Sequence, residues 1–174
     1  MVIPFKRHEA FFYQYPVLVS ALITPVKLMP PTLTHQFTPD KATHQCNALW
    51  DTGATNTVIT QAAAQSIGIQ PTGQIPSIGV HGRKIVNTYL VDIILPNNVL
   101  FQNVNVSEGL LGEEISILIG MDIIQAGDFV IANANGKTRF SYCCPPHKNP
   151  ICLVEKSTRV NESIDKKNKR STRP

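Results

Sequence analysis

Two stretches of this chain gather side chains that could do chemistry. The first is ALWDTGATNTVIT, residues 48–60, which sets one carboxylate, Asp51, between two apolar runs and follows it with Thr52 and Gly53. A carboxylate among apolar neighbours is costly to bury, because a low dielectric disfavours its charged form. Either the turn lies at the surface and Asp51 only ties up backbone N–H groups, or the carboxylate is kept there for acid–base chemistry. The second stretch is CCPPHKNPIC, residues 143–152, with three thiols and His147. These are zinc-ligand types, but the spacing lacks paired Cys-x-x-Cys knuckles and two prolines stiffen it. It reads as a loop of free thiols, so neither a metal nor a cofactor is expected.

The elements that must position Asp51 follow from composition. With 174 residues and 43% hydrophobic content the chain can form one domain with a substantial core. A charged fraction of 16%, with 13 prolines and 10 glycines, suggests a β-rich chain with many breaks. The net charge of +4 is uneven: residues 161–174 carry Lys166, Lys167, Lys169, Arg170 and Arg173 against Glu162 and Asp165. With Ile164 as its one apolar residue, that tail is expected to be solvated and disordered. No aromatic residue is interleaved there, so a nucleic-acid partner is not expected. Lys6 and Arg7 precede an apolar stretch that superficially resembles a signal peptide, yet Gln14, Tyr15 and Pro16 interrupt it. No run is long enough to cross a bilayer, and no membrane partner is expected. Adjacent Cys143 and Cys144 do not suit a secreted disulfide framework, so reduced thiols and a cytoplasmic setting are expected.

Along the chain, YPVLVSALI reads as a strand and residues 24–42, with Pro25, Pro30, Pro31 and Pro39, as an excursion between strands. HQCNALWD is extended and delivers Asp51 at its end, and TNTVIT has the β-branched density of another strand. Thr60 is placed to cap a short helix, QAAAQSIG, which Gly68 ends. IPSIGVHGRKIVNTYLVDIIL reads as a long hairpin with Gly79 and Gly82 near its tip, and NNVLFQNVNVSEG as an alternating strand. ISILIG is a continuous apolar run, the mark of a strand buried on both faces, and Gly120 lets another backbone come close. MDIIQAG makes a brief helix, and Asn135-Gly136 signals a final hairpin. The fold class is therefore mostly β, closed or sandwich-like, with two short helices.

LWDTGATNTVIT, then ILIG, Met-Asp and a short helix resemble the retropepsin-like aspartic peptidases, the single-lobed retroviral-type proteases and their cellular and bacterial relatives. Asp-Thr-Gly alone is a weak signal, since many Asx turns carry it. Asp-Thr-Gly-Ala with apolar flanks and a distant apolar-apolar-Gly is a strong one. The resemblance spans residues 15–142 and implies a closed β-barrel-like single lobe with a flap hairpin. Residues 1–14 are then an N-terminal extension, 24–42 a proline-rich insertion and 143–174 a tail. It implies that Asp51 is the catalytic aspartate, supported by Thr52, Gly53 and Gly120, with Gly120 beneath the Asp51 loop. Gly53, Ala54, Thr55, Asn56 and Leu118 would line the cleft, and Ile78, Gly79 and Val80 would belong to a flap tip over residues 77–83. An acidic residue usual near Thr55 or Asn56 is absent, and His81 in the tip reads as an exposed turn residue.

The implied reaction, endopeptidase cleavage by activated water, needs two carboxylates, one ionised and one protonated. The sequence has twelve acidic residues but one Asp-Thr-Gly, and Asp92, Asp122 and Asp128 lack that context. The second aspartate must therefore come from a second copy across a two-fold axis. Two charges ~3 Å apart at an effective dielectric of about 20 repel by roughly 5 kcal/mol, so such a pair keeps one proton. That is a general property of aspartic-protease dyads and not peculiar to this chain. The expected partners are a peptide or protein substrate and a second copy of the chain. Two other readings are a dimer that grips peptides without cutting them, and a nucleic-acid adaptor built from the Cys/His segment and basic tail.

Overall fold

A computed structural model describes residues 8–32, 43–79, 82–149 and 151–171. Asp51 leaves the end of the third of its ten strands, and the strands fall into two sheets. β1 (Glu9–Gln14), β9 (Asp128–Ala134) and β10 (Lys137–Cys144) form a three-stranded sheet in the order β1-β10-β9. The larger sheet has the order β2-β3-β8-β4-β7-β6-β5. Its strands are β2 (Leu22–Met29), β3 (His44–Trp50), β4 (Val58–Ile59), β5 (Gly73–Gly79), β6 (Gly82–Ile94), β7 (Leu100–Glu108) and β8 (Ile117–Ile119). Lys27–Met29 of β2 also pairs with Asp92–Ile94 of β6, which turns the sheet back on itself. The result is barrel-like without being a formally closed barrel, and the expected mostly-β lobe is observed.

Three short or peripheral helices complete the described residues: α1 (Gln61–Ser66), α2 (Met121–Ile124) and α3 (Leu153–Ser171). Thr60 caps α1 as its sequence suggests, its hydroxyl accepting the Ala63 N–H at 3.2 Å. Gly68, at φ +72°, then turns the chain out of the helix. Asn135 and Gly136, with φ of 52° and 70°, make the β9–β10 hairpin turn that their pair predicts.

Three expectations need correction. The strand expected over 15–23 begins only at Leu22 and runs to Met29, through Pro25. Pro25 lies opposite Asn47 in the part of β2 that only β3 pairs, where a missing N–H interrupts no second ladder. Upstream, Val17 and Leu18 are exposed, and the Tyr15 hydroxyl ties the segment to the backbone of Ile23. The supposed N-terminal extension contains β1, because Phe11 packs its ring on Trp50, Phe140 and Tyr142. The supposedly disordered tail carries α3, and three helices stand where one or two were expected. Straight-chain Glu, Lys and Arg favour that helix, and Glu155 and Arg159 pair one turn apart at 3.8 Å. Residues 33–42 of the proline-rich insertion lie outside the described residues.

The core that matters for the site is aromatic. Trp50, Phe129, Phe140 and Tyr142 meet with ring centroids 5.0–5.9 Å apart, where the small sheet packs onto the end of β3. The Trp50 indole N–H donates to the buried Thr24 hydroxyl at 2.9 Å. Burying a ring such as that of Phe140 stabilises by about 2 kcal/mol, and the cluster fixes the residue that precedes Asp51. Asp92 has a separate structural task. It is fully buried at a bulge in β6 and accepts the backbone N–H groups of Thr32 (3.0 Å) and Asn103 (2.7 Å).

Cys46, on β3, gives a test of this packing. Burial pushes its thiol up to about 11, against a smaller lowering by a hydrogen bond from Ser116. That rise leaves about a hundredfold less thiolate at pH 8 than in an unperturbed cysteine. Iodoacetamide at pH 8 is therefore expected to label Cys46 about a hundredfold more slowly in the folded than in the denatured chain, followed by peptide mass spectrometry. Equal rates would show that β3 is open to solvent.

Candidate active site

Asp51 follows Trp50 at the end of β3, and its backbone N–H donates to the Ile119 carbonyl at 3.0 Å, across from β8. β3 and β8 run parallel, with Trp50 opposite Ile119, while Val58 and Ile59 of β4 pair antiparallel to the other side of β8. The loop between β3 and β4 must therefore cross the end of β8, and Gly120 stands at that crossing. A Cβ on Gly120 would lie 2.6 Å from the carbonyl carbon of Asn56 and 2.7 Å from its oxygen. Glycine is required there for space, as its sequence context suggests.

The carboxylate of Asp51 is half-buried, with Thr52 and Gly53 exposed beside it. Its Oδ1 accepts the Gly53 N–H at 2.8 Å, and the Ala54 N–H turns back to the Asp51 carbonyl at 3.3 Å. Both readings of Asp51 are thus partly met: it ties up a turn N–H and keeps a second oxygen available. From below, the loop is held by α2. The Met121 N–H donates to the Ala54 carbonyl at 2.8 Å and the Asp122 N–H to that of Thr55 at 3.2 Å.

Two further residues hold the loop, and the sequence reading missed both. Thr57 is fully buried; its backbone N–H and its hydroxyl donate to the two carboxylate oxygens of Asp122 at 3.0 and 2.8 Å. The same hydroxyl accepts the Gly120 N–H at 3.2 Å. Asp122, set aside for want of an Asp-Thr-Gly context, is therefore a clamp for the loop. The available signal was its place in the first turn of a helix just after Gly120, where a carboxylate can accept exposed N–H groups.

Of the expected cleft residues, Ala54 is half-buried, and Thr55 and Asn56 are exposed on the Asp51 loop. Leu118 is half-buried on β8 between the fully buried Ile117 and Ile119. β5 and β6 form the expected hairpin, Gly73 opposite Thr88 through Gly79 opposite Gly82. Ile78 and Gly79 are described as backbone only, and Val80 and His81 of the expected tip lie outside the described residues. A cleft of about 420 Å³ opens between this hairpin and the loop, lined by Asn56, Ile75, Thr88, Asn105 and Asp122 among others. Asp51 does not line it. Among the cleft residues expected from sequence, only Asn56 does, so within one chain the carboxylate and the cleft are neighbours on a shared loop, not one pocket.

Residues 40–123 match the family profile described as aspartyl protease. Over that segment, just under half of the chain, the match supports a retropepsin-like aspartic peptidase. The matched segment runs through the Asp51 loop, the hairpin, Gly120 and the Thr57–Asp122 clamp. Among solved structures it is similar to a retropepsin-like aspartic protease from Rickettsia conorii, with 14% identity and a TM-score of 0.46. That likeness covers 79% of this chain and 96% of the other. No curated protein matches it. Among the described residues, no helix is long and apolar enough to cross a membrane.

Proposed function

We propose that the chain is an aspartic endopeptidase whose working unit is a homodimer, with Asp51 of each copy forming the acid pair. The observation that carries this reading is the Asp51 loop: a carboxylate fixed by the Gly53 N–H over a glycine with no room for a side chain, beside exposed Thr52 and Gly53. One chain offers a single carboxylate in that setting. Asp92 and Asp122 are committed to buried backbone and hydroxyl groups, and Asp128 to His147. The exposed rim around Asp51 is the surface a second copy would cover across a two-fold axis.

In such a pair the ionised carboxylate takes a proton from a water held between the two, and the protonated one donates to the scissile carbonyl oxygen. The hydroxide adds to the carbonyl carbon. The carboxyl that took the water's proton then gives it to the amide nitrogen as the C–N bond breaks, while a hydroxyl of the tetrahedral diol returns its proton to the other carboxylate, which restores one shared proton. No covalent intermediate forms. The extended β5–β6 hairpin suits a peptide that adds as a strand, and on this reading Gly53, Ala54, Thr55, Asn56 and Leu118 would meet it. The four cysteines, all unpaired, support a reducing setting such as the cytoplasm.

Dilution tests the dimer. Peptide cleavage per chain is expected to fall in proportion to concentration below the dimer dissociation constant, with sedimentation giving the mass at each point. Undiminished cleavage by a chain shown to be monomeric would overturn the reading. Peptide binding by the dimer with no cleavage at any pH from 4 to about 7 would leave only a binding module.

A further inference from the structure

The role of Asp51 leaves the Cys/His segment after β10 unexplained, and the fold brings to it a residue that linear spacing hides. In the small sheet β10 runs antiparallel to both neighbours, so the start of β1, the end of β10 and the start of β9 meet at one end. His8 precedes β1, Cys143 is near the end of β10, His147 follows it and Asp128 opens β9. One ring nitrogen of His8, the Sγ of Cys143 and one ring nitrogen of His147 lie within 4.8 Å of one another. The two imidazoles are stacked, with centroids 4.9 Å apart and planes 5° from parallel.

Both imidazoles are held from behind. Nδ1 of His147 lies 2.7 Å from Oδ2 of Asp128, and that oxygen also accepts the His147 backbone N–H at 2.8 Å. Nδ1 of His8 lies 3.0 Å from the Pro145 carbonyl oxygen. Acceptors at Nδ1 place the ring proton there and leave the Nε2 lone pair free. A carboxylate or carbonyl behind each ring is the usual support of a metal-bound histidine, fixing both its tautomer and its direction. The third donor, Cys143, is only 7% exposed, so its sulfur is presented from a fixed strand.

We propose that His8, Cys143 and His147 bind one zinc ion, with water at the fourth position. Two imidazoles and a thiolate are a borderline-soft donor set that zinc takes tetrahedrally. Its bond lengths put neighbouring donor atoms about 3.3–3.6 Å apart. Both histidines are exposed and free to close the remaining distance by side-chain rotation, about 1 Å. The Cys143 thiol gives its proton to solvent on binding. The ion joins the segment before β1 to the segment after β10, and so fastens the first strand to the far end of the chain. The assignment does not depend on the role of Asp51.

The test uses the full chain, stripped of metal with a chelator and reloaded. Elemental analysis after dialysis against Zn²⁺ is expected to give one ion per chain, and Co²⁺ loading a near-ultraviolet thiolate-to-metal charge-transfer band. Cys143→Ser should abolish that band, while Cys152→Ser should keep it. His8→Ala and His147→Ala should each weaken Zn²⁺ binding at least tenfold, and Asp128→Asn about 10–100-fold by releasing the His147 ring. His8 is exposed and precedes the first strand, so His8→Ala tests the site without disturbing the core, and circular dichroism checks the fold of each variant. The assignment is overturned by loaded protein with no charge-transfer band, by a band that survives Cys143→Ser, or by unchanged affinity in His8→Ala.

Discussion

Asp51→Asn is expected to lower peptide cleavage by more than about a thousandfold while leaving the fold intact. The fold should survive because the oxygen of the introduced amide can still accept the Gly53 N–H that Oδ1 accepts at 2.8 Å. What the amide cannot do is take a proton from water or hold one for the carbonyl, and acid–base steps of this kind contribute about 10²–10⁴-fold each. Circular dichroism and thermal melting check the first half, a fluorogenic peptide the second. The variant also tests the pairing. Mixed in equal amount with the native chain it should halve the native activity roughly, since half of the native chains are drawn into mixed dimers. A chain acting alone would be unaffected by the mixture.

The second large effect belongs to Gly120. Its φ of −94° is open to any residue, so its need is space and not conformational freedom. In Gly120→Ala the new methyl would meet the backbone of Asn56 at 2.6 and 2.7 Å and the Ala54 carbonyl at 3.0 Å. Backbone cannot swing aside as a long side chain can. Overpacking of this kind costs about 1–3 kcal/mol, which in a chain of this size lowers Tm by roughly 2–12 °C. Activity should fall by more, about a hundredfold, because relief of the clash moves the loop that carries Asp51. Gly112→Ala is the control: nothing lies within 4 Å of its added methyl, and both melting and activity should be unchanged. Equal, small effects for the two substitutions would mean that the β3–β4 loop is not wedged over Gly120.

The parts of this structure that were legible in the sequence are those with local chemistry. Asn135-Gly136 specifies its own turn, Thr60 caps the helix that starts beside it, and the apolar run before Gly120 is the strand it reads as, one face fully buried by Ile117 and Ile119 and the other half-buried at Leu118. The crossing of the Asp51 loop over Gly120 was legible only through the family resemblance that the two motifs carry together; the residues alone said no more than that Gly120 lets another backbone come close. Edges were harder. Pro25 looks like a break but sits in a half-paired strand, and β1 alternates too weakly to outweigh its polar flanks. Residues 153–167 of α3 are all exposed, so reasoning from burial discards the helix while side-chain propensity keeps it. Thr57 and Asp122 stand 65 residues apart, and the His8–His147 pair is spread still wider. Neither pairing shows in any short window, because each is a product of topology, although the place of Asp122 in the first turn of α2 hints at what it can accept.

The parallel pairing of β3 with β8 also bears on when the molecule becomes competent. Trp50 meets Ile119, and Thr57 meets Asp122, only after the long hairpin and β7 between them have been laid down. Contacts so distant along the chain carry a heavy loop-closure cost, and folds dominated by them form slowly. A chain still emerging from the ribosome therefore holds Asp51 on an unanchored loop until residue 122 is out, so the proposed cleavage could begin only after synthesis has passed that point.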